Sequence, residues 1–287
     1  MGVVVRTKSV CSGRKGPGIF QPMRDIFRLW KKGSVYSKTT SFIFKIAPTI
    51  YFATVLMAIF MVPHGSWPGL ISFSGDFVMF AYFLALGKFL TIISALDTGS
   101  SFEGMGASRE ALFSLFAEPA FFVLLGSLAL FTGHTSFIDI FSTLHYDANI
   151  SYMLGGLATF VFVLIAMIEN SRMPVDDPKT HLELTMIHEV MILDNSGFDL
   201  GTIMYTTNLK FAMYGAIISN FFIGDLPLLF SIPLFFIVQF GFAVTVGIIE
   251  SFMARFRMSH NPQFILILTS VAILIFFGVL MVKGIFV

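Results

Sequence analysis

Seven long apolar runs divide this 287-residue chain, and they restrict its fold more than any other feature. A helix needs roughly 17–25 apolar residues to cross about 30 Å of hydrocarbon, and each run has a suitable length. Backbone groups in lipid must be hydrogen-bonded internally, so these runs predict transmembrane helices. The predicted spans lie at about 42–62, 75–96, 110–132, 152–169, 205–223, 227–249 and 263–283.

The composition agrees with this interpretation. Hydrophobic residues make up 56% of the chain and charged residues only 12%, whereas a soluble domain is about 25% charged. We therefore predict an all-α, polytopic membrane protein with about seven transmembrane helices. Residues 1–41 form a basic segment, and 42–287 form a single membrane domain with cytoplasmic loops at about 97–109, 170–204 and 250–262.

Lysine and arginine are unevenly divided between the two sides of this predicted topology. If the loop after Glu169 is cytoplasmic, the opposite side receives only Lys283, beside the last span. Such a bias in short loops sets orientation, so the N-terminus is predicted to be cytoplasmic and the C-terminus outside. The basic residues on the predicted cytoplasmic side are Arg6, Lys8, Arg14, Lys15, Arg24, Arg28, Lys31, Lys32, Lys38, Arg109, Arg172, Lys179, Arg255 and Arg257.

An amphipathic helix is predicted before the first span, within residues 14–34. Ile19, Met23, Ile26 and Trp30 recur at helical spacing, and basic residues lie between them. This pattern is typical of a helix that lies on the cytoplasmic leaflet. A simple basic flank of the first span is the alternative.

The stretch 168–189, directly after the fourth span, gathers nine titratable side chains. Pro174 and Pro178 interrupt any helix that continues past the span. The sequence "THLE" has the spacing of a capping box and predicts a short helix over about 181–194, with His181 and His188 on one side.

The start of this stretch combines carboxylates with an arginine at the edge of the bilayer. Glu169 is followed by Arg172, Asp176 and Asp177. The pKa of a partly buried carboxylate among other charges changes readily with its surroundings. These residues predict the mouth of a proton relay, with a solvated charged loop as the alternative.

Ionisable residues inside predicted spans are costly and suggest function. Glu118 lies eight residues into its span, and Lys88 lies a similar distance from the inner end of the preceding span. We expect the two to face or pair with each other, either in a relay or as a structural ion pair.

Other charged residues near span ends are given no role at this stage. Lys45 and Lys210 can extend to the membrane surface. Glu250 is followed by Arg255 and Arg257 and is interpreted as a solvated flank.

Several kinds of cofactor site are disfavoured. The six histidines all fall in predicted loops, which argues against haem within the bilayer, and the single cysteine, Cys11, cannot ligate an iron–sulfur cluster alone. The glycines of 97–110 indicate tight backbone packing or a phosphate cradle, but the Gly-Lys-Ser/Thr of a P-loop is missing. We predict no cofactor or metal on this chain and no nucleic-acid partner.

Several motifs, in order along the chain, resemble one family of membrane subunits. "ENSRMPVDD" resembles an element of subunit 1 of respiratory NADH dehydrogenase (complex I). "GRKGPGIFQPMRDIFRLWKKGSVYS", "LDTGSSFEGMGASREALFSLFAEP", "VDDPKTHLELTMIHEVMILDNSG" and "ESFMARFRM" are similar to the related subunit of formate hydrogenlyase, hydrogenase-4 and other membrane-bound [NiFe] hydrogenases.

The resemblance implies a non-catalytic membrane anchor in the inner (cytoplasmic) membrane. Such a subunit docks a hydrophilic redox arm and links it to antiporter-like proton or sodium pumps. The implied relay residues are Asp97, Glu110, Glu118, Glu169, Asp176, Asp177, Glu183 and Glu189, with Lys88 facing them. The implied docking residues are Arg14, Gly16, Pro17, Arg109, Arg172 and Pro174, with His181 and His188 beside them.

The implied partners are a hydrogenase-like large subunit and an iron–sulfur small subunit, which would carry the nickel–iron and iron–sulfur centres. The family has eight spans, and the first would precede "RTKSV", so we expect that this chain starts late or lacks one helix. A quinone-binding subunit of an NADH or ferredoxin dehydrogenase is one alternative, which "DDPKTHLELTMIHE" makes less favoured. A stand-alone secondary transporter is another.

Overall fold

The computed structural model describes residues 1–146, 148–177 and 186–284, and its regular structure within these ranges is eleven α-helices. In chain order they are α1 (Gly2–Cys11), α2 (Gln21–Trp30), α3 (Phe42–Met61), α4 (Asp76–Asp97), α5 (Ser101–Thr132), α6 (Phe137–Tyr146), α7 (Ala148–Glu169), α8 (His188–Met191), α9 (Gly197–Ile223), α10 (Leu228–Phe252) and α11 (Asn261–Val282).

Six of these helices, α3, α4, α5, α7, α10 and α11, are long and apolar enough to cross a membrane. The all-α, polytopic fold is therefore confirmed. The remaining predicted span corresponds to α9, which has 27 residues but carries Asp199, Lys210 and Asn220. Helix α9 packs against α2, α3, α7 and α10, so its polar side chains are buried in protein rather than exposed to lipid.

Helix α5 begins at Ser101, so the prediction of a loop reaching residue 109 was wrong. Small residues in the first part of α5 let another segment of the chain pack closely against this helix. A Cβ atom on Gly106 would lie 2.9 Å from the Ile187 carbonyl oxygen and 2.8 Å from Val190 Cγ1. Of the two uses predicted for these glycines, tight backbone packing is the one found at Gly106.

The predicted helix over 181–194 is largely absent from the described part of this stretch. Residues 181–185 lie outside the described residues, and beyond them only His188–Met191 is helical. Side chains hold the backbone here in place of helical hydrogen bonds. Asp176 Oδ2 accepts the His188 N–H at 3.1 Å, and Arg109 Nη1 donates to the Met186 carbonyl at 2.9 Å.

The basic segment 1–41 contributes two helices that pack on the bundle. Helix α2 confirms the helix predicted before the first span: Ile26 is buried, while Phe27 is exposed. The ring of Trp30 meets Tyr205 of α9 edge-on, with centroids 5.1 Å apart. Helix α1, which was not predicted, packs on α10, where a Cβ atom on Gly247 would lie 2.7 Å from Thr7 Cβ.

Aromatic rings in the core hold together the four helices that form the candidate site. Phe121 of α5 lies 6.1–6.4 Å, between ring centroids, from Phe80 of α4, Phe162 of α7 and Tyr214 of α9. These aromatic contacts stabilise one arrangement of the four helices. The same helices carry the charged side chains of the site.

We predict that Gly106→Ala destabilises the protein by about 1–3 kcal/mol, because the new Cβ meets the backbone of residue 187. Gly104→Ala is the matched control: it lies in the same helix with open space around it and should be neutral or slightly stabilising. The thermal unfolding midpoint of the detergent-purified protein measures both. Equal midpoints for the two variants would contradict the close packing.

Candidate functional site

Four charged side chains from four helices meet inside the bundle and form what we call the tetrad. Lys88 Nζ lies 2.7 Å from Glu169 Oε1 and 3.3 Å from Glu110 Oε1, and Lys210 Nζ lies 2.7 Å from Glu169 Oε2. Each side chain is at most 10% exposed. Two positive and two negative charges cancel, as buried charges require.

Glu169 is the centre of the tetrad because both lysines contact it. It is the last residue of α7, and Lys210 Nζ also donates to its backbone carbonyl at 3.0 Å. The last carbonyls of a helix lack partners within the helix and carry partial negative charge, so a lysine is favoured there. The end of α7 is thereby tied to α4 and α9.

The predicted pairing of Lys88 with Glu118 is not found. The ammonium group of Lys88 instead contacts Glu169 and Glu110. Glu169 is on α7, which the prediction from the two consecutive spans did not include. Glu118 instead lines a cavity of about 20 Å³ beside Lys88, Glu169 and Tyr214. Among the described residues, no hydrogen bond or salt bridge fixes Glu118.

Two residues that were given no role lie in this interior, so those predictions were wrong. Lys210 does not extend to the surface because its neighbours on α9 are enclosed by other helices. Glu250 is 4% exposed: it lies 3.4 Å from Arg172 Nη1 and 3.7 Å from Lys8 Nζ. Helix α1 packs on this end of α10. The contact joins distant parts of the chain, so the sequence around Glu250 alone could not predict it.

The bend after α7 is held by a second charged cluster around Asp176. Arg255 Nη2 lies 2.6 Å from Asp176 Oδ1, which also accepts the Asp177 N–H at 2.9 Å. The same bend is bonded to the α10–α11 connection, because Phe256 N donates to Pro174 O and Asn261 Nδ2 donates to Val175 O, each at 3.0 Å. This bend is therefore ordered by its charges and is not a freely solvated loop.

The pKa of Asp176 lies above the ordinary value of an aspartate. Burial raises the pKa of Asp176 to about 6, although the His188 N–H and the charge of Arg255 act in the opposite direction. The negative charge of Glu110 raises this pKa further. Burial also lowers the pKa of His188, which the charge of Glu110 partly offsets.

Glu110 thus connects the bend electrostatically with the tetrad. It acts on Asp176 and His188 on one side and contacts Lys88 on the other. The structure therefore brings together Asp176, Glu110, Lys88 and Glu169 from the predicted set, with Glu118 across the small cavity. We call this arrangement the charged row.

The other predicted site residues lie at the margins of the charged row. Asp97 Oδ2 accepts the Ser41 N–H at 2.7 Å, where α3 begins. Glu189 lines a cavity with Arg172 and His188. The predicted docking residues before α2 are exposed or half-buried on the surface; they are Arg14, Gly16 and Pro17. Two predicted residues, His181 and Glu183, lie outside the described residues.

Sequence reasoning also missed Glu103, which is fully buried at the start of α5. Its Oε1 accepts the Asp194 N–H at 2.8 Å. The signal available was the spacing Ser100–Glu103, typical of a capping box at a helix start.

In the described parts of the chain, no group of three histidine, cysteine, aspartate or glutamate side chains could hold a metal ion.

The fold and the charged row define a polytopic helical membrane protein whose ionisable interior continues into the buried bend after α7. The chain belongs to the NADH dehydrogenase family, whose model matches residues 6–281. The family resemblance of the sequence motifs is thereby confirmed.

Two relatives from Escherichia coli (strain K12) are similar over most of the chain. Hydrogenase-4 component C is 31% identical over 209 residues, which cover 73% of this chain. The match spans 65% of that relative, just under two thirds of its length. Formate hydrogenlyase subunit 4 is 28% identical over 274 residues, which cover 91% of this chain and 87% of that protein.

Among solved structures, the fold is similar to a chain of the membrane-bound sulfane sulfur reductase, an archaeal respiratory membrane complex. The TM-score is 0.82, and the match covers 96% of this chain and 93% of that chain. The sequence identity is 18%, so this likeness concerns the fold alone.

We predict that Lys210→Met destabilises the protein by about 3–5 kcal/mol, because Glu169 and Glu110 must then share Lys88 and one buried negative charge is left uncompensated. Lys45→Met is the matched control: Lys45 is exposed on α3 and contacts the Tyr36 ring. Thermal unfolding of the two purified variants in detergent measures the difference. A Lys210→Met protein as stable as Lys45→Met would contradict the tetrad.

Proposed function

We propose that this chain is the ion-coupling membrane anchor of a complex I-like membrane-bound hydrogenase or a hydrogenase-related oxidoreductase. The charged row carries the proposal, because it links the bend after α7 to Glu118 inside the bundle. The family membership and the two Escherichia coli relatives, named for hydrogenase-4 and formate hydrogenlyase, support it.

A hydrophilic redox arm is proposed to dock on the side of the bundle that carries the largely exposed segment before α2 and the bend after α7, whose residues 170–176 are themselves buried. The Lys/Arg bias supports a cytoplasmic location for this surface in the inner membrane. The arm would comprise a hydrogenase-like large subunit and an iron–sulfur small subunit, which hold the nickel–iron and iron–sulfur centres. Antiporter-like subunits would lie beside this chain in the bilayer.

Asp176 is the proposed receiver of the redox event. Its pKa of about 6 lies close to physiological pH, so a change of charge in the docked arm alters its protonation. An added negative charge nearby raises the pKa and favours proton uptake, whereas an added positive charge favours release. His188 and Arg255 hold the carboxylate where the arm can act on it.

The tetrad transmits this event into the membrane. A change of charge at Asp176 acts on Glu110 and so alters how Lys88 divides its contact between Glu110 and Glu169. Lys210 keeps the α7 end anchored during this exchange. Glu118, which no ion pair fixes among the described residues, then takes up or releases the mobile proton toward the neighbouring pump.

A quinone-binding subunit is the second candidate. A cavity of about 240 Å³ opens between α1, α2, α9 and the bend, lined by Arg172, His188 and Asn208 as well as by Ile26 and Met204. Apolar walls with a few polar groups suit an amphipathic ligand. Quinone that remains bound in stoichiometric amount to the purified complex would favour this candidate.

We predict that Glu118→Gln abolishes redox-coupled proton movement while the complex still assembles, because glutamine fills the same space but cannot carry a proton. Proton movement per electron pair is measured in vesicles that contain the complete complex. Asp139→Asn, an exposed change on α6, is the control carboxylate and should leave coupling intact. Full coupling in the Glu118→Gln complex would refute the proposed function.

A further inference from the structure

The proposed relay has a gap between the tetrad and Glu118. Glu169 is bound by two lysines, whereas Glu118 lies across the 20 Å³ cavity without an ion pair among the described residues. The remaining walls are apolar and are formed by Ala81, Leu84, Ala85, Phe121 and Phe122. A proton that passes between the two carboxylates therefore needs a polar group within this cavity.

Tyr214 of α9 supplies such a group. It is 1% exposed, and its ring meets Phe121 edge-on, with centroids 6.4 Å apart. The titratable groups whose charges act on its hydroxyl are Glu169, Tyr51 and Glu118, and Lys88 shares the cavity. The ring is thus fixed by packing, and the side chain lines the same cavity as both carboxylates.

The hydroxyl has bonding capacity left for a proton chain. Buried tyrosine hydroxyls are normally hydrogen-bonded, yet no protein group in the described ranges bonds to that of Tyr214. A water molecule needs about 10–15 Å³ and two to four polar partners, and the cavity offers both. The hydroxyl, the water and the two carboxylates can therefore form one hydrogen-bonded chain.

We propose that the Tyr214 hydroxyl and one water molecule carry protons between Glu169 and Glu118. In one transfer, the Tyr214 O–H bond breaks as its proton goes to a Glu118 oxygen, and the tyrosine oxygen takes a proton from the water. The water is restored by the proton of a transiently protonated Glu169, whose carboxylate then returns to Lys88 and Lys210. The step moves one proton and no electrons, and it rests on the proposed coupling function.

The test uses the complete complex in vesicles and compares Tyr214→Phe with Tyr205→Phe. Phenylalanine keeps the ring contact with Phe121 but removes the hydroxyl. Tyr205 is on the same helix, packs its ring on Trp30 and lies outside the cavity, so its hydroxyl is the matched control. Tyr214→Phe should slow coupled proton movement about tenfold or more, in line with the effect of a positioned proton-transfer group; Tyr205→Phe should not.

A second substitution separates proton transfer from a structural role. 3,5-Difluorotyrosine at position 214 keeps the hydroxyl but makes it more acidic, so coupling should return and its pH profile should shift to lower pH. An unshifted profile, or normal coupling in Tyr214→Phe, would overturn the role of Tyr214. If Glu118→Gln abolishes coupling in that same experiment, the proposed function stands without Tyr214; if Glu118→Gln couples normally, the proposed function itself fails.

Discussion

The contact of Glu169 with two buried lysines is the interaction on which the rest of this structure depends. A single unpaired charge buried inside a protein costs several kcal/mol, so the lysines and carboxylates are stable only together. Their carriers are α4, α5, α7 and α9. The requirement to pair these charges therefore fixes how four helices pack and where α7 ends.

In the proposed mechanism, the same pairing lets the bundle respond to a change of charge. Lys88 contacts two carboxylates at different distances, 2.7 Å and 3.3 Å, so a modest change of field can shift its preference. Asp176 lies on the bend that follows Glu169, and burial raises its pKa to about 6. The proposed mechanism thus links a change of charge at the bend with an interior proton through neighbouring groups.

The sequence predicted the elements that depend on local patterns. Apolar run length located the spans, and helical spacing located α2, because both properties belong to single segments. The start of α5 and the described part of 181–194 were mispredicted, because long-range contacts decide them: Gly106 packs on Ile187, and Asp176 accepts the His188 N–H. For the site, the sequence predicted roles for Glu169, Glu110 and Asp176. It predicted none for Lys210, because its partner Glu169 is 41 residues away in the chain.

The most direct test of the account is gentle purification of the tagged chain from its native membranes, with mass spectrometry of every bound protein. The account predicts a large subunit with paired Cys-x-x-Cys motifs, an iron–sulfur subunit and antiporter-like membrane subunits. The same set without those cysteine pairs would keep the anchor role and indicate a hydrogenase-related reaction. A chain that reproducibly purifies alone, and transports ions when reconstituted alone, would contradict the account.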